Sequence, residues 1–134
     1  MKQYTLSELQ SFAKQLSLSA QIGDTFLLHG DLGAGKTTFA QAFIQARYPS
    51  VTVTSPTFSI CLEYEDIAHY DLYRLNSSEE CNELDIQEHF FHKICLVEWP
   101  EILGPLAPKT ATHIHIDAGA TSNTRMVRAR AIIS

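Results

Sequence analysis

Cysteine is scarce and poorly placed for chemistry. The 134 residues hold three, Cys61, Cys81 and Cys95, an odd number with no C-x-x-C pair. That argues against a disulfide framework and against a structural zinc site. Long hydrophobic runs are also missing: no stretch approaches the roughly 20 apolar residues that a bilayer-spanning helix needs. The opening MKQYTLSELQ lacks the apolar core of a signal peptide. The expectation is a cytoplasmic protein with buried or idle thiols and no membrane association. Excess positive charge is lacking as well. Ten Lys and Arg against fifteen Asp and Glu give a net charge of −5, whereas a protein that grips nucleic acid broadly through phosphates is normally basic. Arg125, Arg128 and Arg130 form a local patch that reads most simply as the polar face of a last strand. No repeat, low-complexity tract or linker divides the chain. Its length suits one domain, residues 1–134, around one hydrophobic core.

What is present alternates between two periods. TLSELQSFAKQL places Leu6, Leu9, Phe12, Ala13 and Leu16 at helical spacing, with Thr5 and Glu8 as a capping box. DTFLLHG reads as a short buried strand ending at Gly30, and Thr37 to about Arg47 as a helix closed by Pro49. VTVT reads as a second short strand. In SICLEYEDIAHYDLYRL, Ile60, Leu62 and Tyr64 alternate with polar neighbours. This predicts a strand, a tight turn near Glu65-Asp66 and a return strand through Asp71. SSEECNEL opens a helix with Ser77 and Glu80 as its capping box. KICLVEW is an apolar strand ending in an acid, THIHID another, and RMVRARAII a last strand expected at an edge because of its arginines. The expected architecture is α/β: a mostly parallel sheet covered by helices, with an antiparallel hairpin inserted.

Residues 30–37, GDLGAGKT, match G-x-x-x-x-G-K-[ST] at every fixed position. Such a loop must turn its N–H groups inward around a phosphate, and glycine permits the backbone angles this needs. The following helix points its N-terminal dipole at the anion. The expected nucleotide contacts are Asp31, Leu32, Gly33, Ala34, Gly35, Lys36, Thr37 and Thr38. Lys36 reaches the β- and γ-phosphates and Thr37 offers a hydroxyl to Mg²⁺. A strand before the motif and a helix after it supply the context the motif requires.

A phosphate loop of this kind is usually completed by a carboxylate at the end of a neighbouring strand. Two candidates exist. Glu98 follows four consecutive apolar residues, and Asp71 ends the less apolar IAHYD. Thr57, in the Pro-stiffened SPTF, could sense a γ-phosphate as switch loops do. His113 with His115, and His89 with His92, each share a face. Neither pair has an evident third metal ligand, so surface or hydrogen-bonded histidines fit better. Trp99 reads equally as core, partner contact or lid.

Together GDLGAGKTTF, SPTF, HYDLYRL, the ELDIQEHF segment and ICLVEWPE resemble, in this order, the bacterial TsaE (YjeE) family, from about Gly23 to Asp117. The resemblance implies a three-layer P-loop NTPase fold and binding of ATP with Mg²⁺. It implies that Thr37 and Glu98 hold the metal, that SPTF acts as a switch-like loop, and that Asp71 serves catalysis beside Lys36. It implies an ATPase needed for threonylcarbamoyl modification of adenosine 37 in tRNAs reading codons that begin with A. The family partners are the TsaD and TsaB proteins, and tRNA is reached only through that complex. Two other classes compete. A small-molecule kinase would need a second substrate site and commonly an arginine-bearing lid, and no clear lid segment is found. A GTP switch would usually show N-K-x-D, which is absent.

Overall fold

Thr5 and Glu8 start the first helix as their spacing predicts. Glu8 N–H donates to Thr5 Oγ1 at 3.1 Å and Thr5 N–H donates to Glu8 Oε1 at 2.9 Å. The pair satisfies two backbone donors that a helix start leaves orphaned. The structure is a computed structural model describing residues 2–31, 33–54 and 60–131, and in it this helix is α1 (Leu6–Ser19). Its Leu9 and Ala13 are fully buried in one apolar layer with Phe39, Ala40 and Phe43 of α2 (Lys36–Arg47). The neighbouring helix also closes the far end of α1. Arg47 Nη1 donates to Ser17 O at 2.8 Å and to Ala20 O at 3.2 Å, and Ser17 Oγ donates to Phe43 O at 2.7 Å.

The strands are β1 (Lys2–Thr5), β2 (Thr25–His29), β3 (Cys61–Tyr64), β4 (Ile67–Asp71), β5 (Ile94–Glu98), β6 (Thr112–Ala118) and β7 (Thr124–Ala131). They form one seven-stranded sheet in the order β1-β7-β6-β2-β5-β4-β3. The pairs β6–β2, β2–β5 and β5–β4 are parallel, and the pairs outside them are antiparallel. Parallel pairing is therefore confined to the four central strands, a narrower extent than the mostly parallel sheet expected from the sequence. Both faces are covered. Phe26 and Leu28 join the α1–α2 layer, while Leu27 points to the opposite one with Tyr70, Val97, Ile86 and Leu103. That second layer is supplied by α3 (Ser78–Asn82), α4 (Ile86–His92) and the 3₁₀ segment Pro100–Leu106. A strand buried on both faces reads as a continuous apolar run, which is why FLL and ICLV stand out in the sequence.

The hairpin falls where alternation places it. Tyr64 pairs with Ile67 across a two-residue turn, and Glu65 takes a left-handed φ of 49°. Three expectations need correction. Residues 51–54 form no strand. Val53 is buried in the α1–α2 layer with Val51 packed beside it, so their alternation serves core filling rather than a ladder. Ser77 is the N-cap of α3 but makes no side-chain cap bond; Glu80 Oε1 instead accepts from Asn76 N–H at 3.0 Å. From the third position of the helix the Glu80 side chain reaches one residue past the N-cap. Finally, β7 is not the edge strand, because β1 pairs along it from Lys2↔Val127 to Thr5↔Thr124. The last residues of that expected strand, 132–134, lie outside the described residues.

Candidate nucleotide site

β2 delivers the chain to the loop at the carboxyl end of the parallel strands, the usual ligand side of an open α/β sheet. Gly30 has no alternative there. A Cβ on it would lie 2.1 Å from the Ile116 carbonyl oxygen of β6, a backbone atom that cannot step aside. Gly35 closes the loop at φ 112° as the N-cap of α2. No described side chain caps α2, so the N–H groups of its first turn are left for another acceptor. A cavity of about 480 Å³ opens at this point.

Lys36, Thr37, Thr38, Gly33 and Gly35 line that cavity from the loop and α2, and Asp71 and Glu98 line it from β4 and β5. Asp71 and Glu98 are direct partners in the β4–β5 register. The two acids proposed as alternatives from sequence thus share one site. Their surroundings differ. Glu98 is buried, and His69 Nε2 donates to its Oε2 at 2.7 Å while Thr37 Oγ1 lies 3.5 Å from its Oε1. Asp71 sits at the rim, where its Oδ1 accepts from Tyr73 N–H at 3.0 Å. Asp31 and Ala34 border a separate small recess with Asp117 and Ala118. Leu32 and Thr57 lie outside the described residues.

Lys36 is only 4% exposed. Its Nζ donates to Gly30 O and stands 3.5 Å from the centroid of the Trp99 ring. Burial lowers the pKa of its ammonium, and the carboxylates of Glu98, Glu101, Asp71 and Asp31 act against that shift. Trp99 holds a left-handed φ of 58° and packs on Tyr73 at 4.9 Å between ring centroids. Trp99 thus combines two of the readings open for it: it stands over the lysine and also packs against the α3–α4 apolar layer.

Sequence reasoning missed several residues of the site. His69 lies two positions before Asp71 on one strand, so the period of two could have put both on the same face. Arg125, grouped with a solvated patch, lines the cavity, and its Nε donates to Ala34 O at 2.8 Å. Leu6, Ile60, Tyr73 and Arg74 line it too. Tyr73 and Arg74 belong to HYDLYRL, one of the motifs behind the resemblance, but no chemical pattern singled them out.

The histidine pairs resolve as hydrogen-bonded groups. His89 contacts Tyr70 and, at 3.3 Å, Glu63; His92 lies 3.3 Å from Glu88. His113 and His115 do gain a third neighbour, His29, which shares a 2.9 Å hydrogen bond with His113 and stacks on His115 at 4.3 Å. No group of three or more His, Cys, Asp or Glu among the described residues has metal-holding geometry. A small hard cation asks for oxygen donors, and the Thr37 hydroxyl and Glu98 carboxylate at the cavity floor fit it.

Comparison with known proteins places the chain in a family. The family model "Threonylcarbamoyl adenosine biosynthesis protein TsaE" matches residues 4–127, further than the motifs alone extend. The tRNA threonylcarbamoyladenosine biosynthesis protein TsaE of Bacillus subtilis (strain 168) is 38% identical over 81% of this chain and 71% of its own length. The protein of the same name from Rickettsia conorii is 38% identical over 83% of this chain and 66% of its own length. The crystal structure of Bacillus subtilis YdiB superposes with a TM-score of 0.72 at 30% identity, covering 98% of this chain and 86% of that one. No described helix is long and apolar enough to cross a membrane. Motif order, sheet and matches agree, and the chain belongs to the TsaE family of threonylcarbamoyl adenosine biosynthesis proteins.

Proposed function

We propose that this chain is a Mg²⁺-dependent ATPase of the P-loop class that drives threonylcarbamoyl modification of adenosine 37 in tRNAs reading codons that begin with A, by acting on the TsaB–TsaD pair. One observation carries the reading: a buried lysine and a buried glutamate, 62 positions apart in the chain, line one cavity at the start of α2. Lys36 places its charge on the β- and γ-phosphates, and the first-turn N–H groups of α2 bind the phosphate oxygens. Thr37 and Glu98 hold Mg²⁺, which when bound neutralises phosphate charge. Asp71 at the rim orients the attacking water and accepts its proton, and Thr57 senses the γ-phosphate. Hydrolysis shifts the conformation of the partner complex, with tRNA engaged only through it. The cytoplasm, where tRNA is modified, is the compartment this role requires.

The test is a multiple-turnover assay with purified TsaB, TsaC and TsaD, tRNA, threonine, bicarbonate and ATP. Parent protein is expected to sustain repeated rounds, and Lys36→Ala to reduce them on the order of 100-fold, the scale of losing one principal charge-stabilising contact. Equal support from the variant would refute the ATPase role. Full modification with neither protein added would refute the pathway.

A further inference from the structure

We infer that His69 is a positioning residue for metal binding: its Nε2–H pins one oxygen of Glu98 so that the other stays turned toward Thr37. The inference rests on the proposed nucleotide site and deepens it. Among the described residues His69 is fully buried, and Glu98 is 3% exposed. The parallel register places Asp71 beside Glu98 and His69 beside Leu96, so the imidazole reaches along the sheet face to the carboxylate. A buried carboxylate is costly unless its oxygens are hydrogen-bonded. Here the two oxygens are treated differently. Oε2 is held by His69 at 2.7 Å, whereas Oε1 faces the Thr37 hydroxyl at 3.5 Å, longer than an ordinary O–H···O bond. One oxygen is locked and the other is kept for a further partner.

The ring's other nitrogen shows which proton it carries. Among the described residues His69 Nδ1 is buried and finds no hydrogen-bond partner. A proton there would leave a buried N–H unmet and would turn the Nε2 lone pair onto the carboxylate 2.7 Å away. Both are unfavourable. The Nε2–H form avoids both. Groups that orient a metal-binding carboxylate in this way typically change metal affinity by 10–100-fold when removed.

The test uses three variants of the whole chain. His69→Leu removes the donor at similar volume. His69→Gln places an amide N–H where Nε2 stands, and His69→Asn places one where Nδ1 stands. Mn²⁺ binding to the protein–ADP complex is followed by electron paramagnetic resonance, and ADP binding without metal by calorimetry. His69→Leu and His69→Asn are expected to weaken Mn²⁺ binding about tenfold or more, with metal-free ADP affinity within about twofold of parent, and His69→Gln to recover most of the loss. A purely structural role would lower metal-free and metal-dependent binding together, or would fail to separate Gln from Asn; either result overturns the inference. So does parental Mn²⁺ affinity in His69→Leu. Absence of metal-dependent ADP binding in the parent would overturn the nucleotide reading along with it. Should the variants not fold, long-range ¹H–¹⁵N spectra of the parent decide: His69 protonated at Nε2 upholds the inference, and at Nδ1 alone overturns it.

Discussion

Lys36 makes two contacts that a phosphate would compete for, the Gly30 carbonyl and the Trp99 face. A cation over an indole is worth about 0.5–2 kcal/mol, and a charge-assisted bond to a phosphate is stronger than a neutral one, so the phosphate wins. Binding must therefore change the surroundings of Trp99, the only tryptophan in the chain. Its emission is expected to shift on titration with Mg·ATP. An unchanged spectrum, with binding shown independently by calorimetry, would mean that the lysine keeps its aromatic contact. The loop, Lys36, Thr37, Glu98 and Asp71 were legible because each is a local pattern: a fixed spacing, or an acid at the end of an apolar run. Arg125 was not, since its hydrogen bond to Ala34 spans 91 positions and nothing near it in sequence announces the loop. His69 fell between these cases. Its period was readable, but its partner on the next strand was not.

Among the elements, α1 depends on its neighbour for its C-terminal end. No basic residue lies in its last turn, and Arg47 of α2 supplies donors to two of its carbonyls. Hydrogen bonds from a charged group contribute about 1.5–3 kcal/mol. Arg47→Ala is expected to destabilise the fold by roughly 2 kcal/mol, read as a lower urea midpoint with an unchanged slope. A midpoint equal to parent would mean that water replaces the guanidinium without loss. Elements with a buried stripe were readable: α1, α2, β2, β5 and the β3–β4 hairpin. β1 was not. Its four residues are mostly exposed and it exists only by pairing with β7, so it carries no period of its own. Residues 51–54 erred the other way, showing an alternation that fills the α1–α2 layer instead of joining a ladder.

At the scale of the molecule, the histidines between β2 and β6 link stability to acidity. Burial and the nearby His115 lower the pKa of His29; burial and Arg128 lower that of His115. The native state thus resists protons that the unfolded chain takes up near pH 6.5. The stability these rings contribute is full above about pH 6.5 and is lost as pH falls toward their depressed native values. The thermal midpoint is expected to drop between pH 7.5 and 5.5, and to drop less in His115→Gln. An identical pH profile in the variant would remove His115 from this account. The apolar strands, covered on both faces, made the α/β class of the molecule readable from sequence. Of the antiparallel borders the β3–β4 hairpin was legible, while the β1–β7 pairing was hidden because it joins residues far apart in the chain.

The pairing of β1 with β7 also dates the site during synthesis. Lys2 aligns with Val127, so at the usual 5–20 residues per second the first strand waits roughly 6–25 s for its partner to be made. Leu6, directly after β1, and Arg125, within β7, both line the nucleotide cavity. The phosphate loop itself is complete after residue 37, yet the wall that encloses it is finished only when the last strand arrives. A chain that has not yet reached β7 therefore carries the motif without Arg125 in the cavity wall.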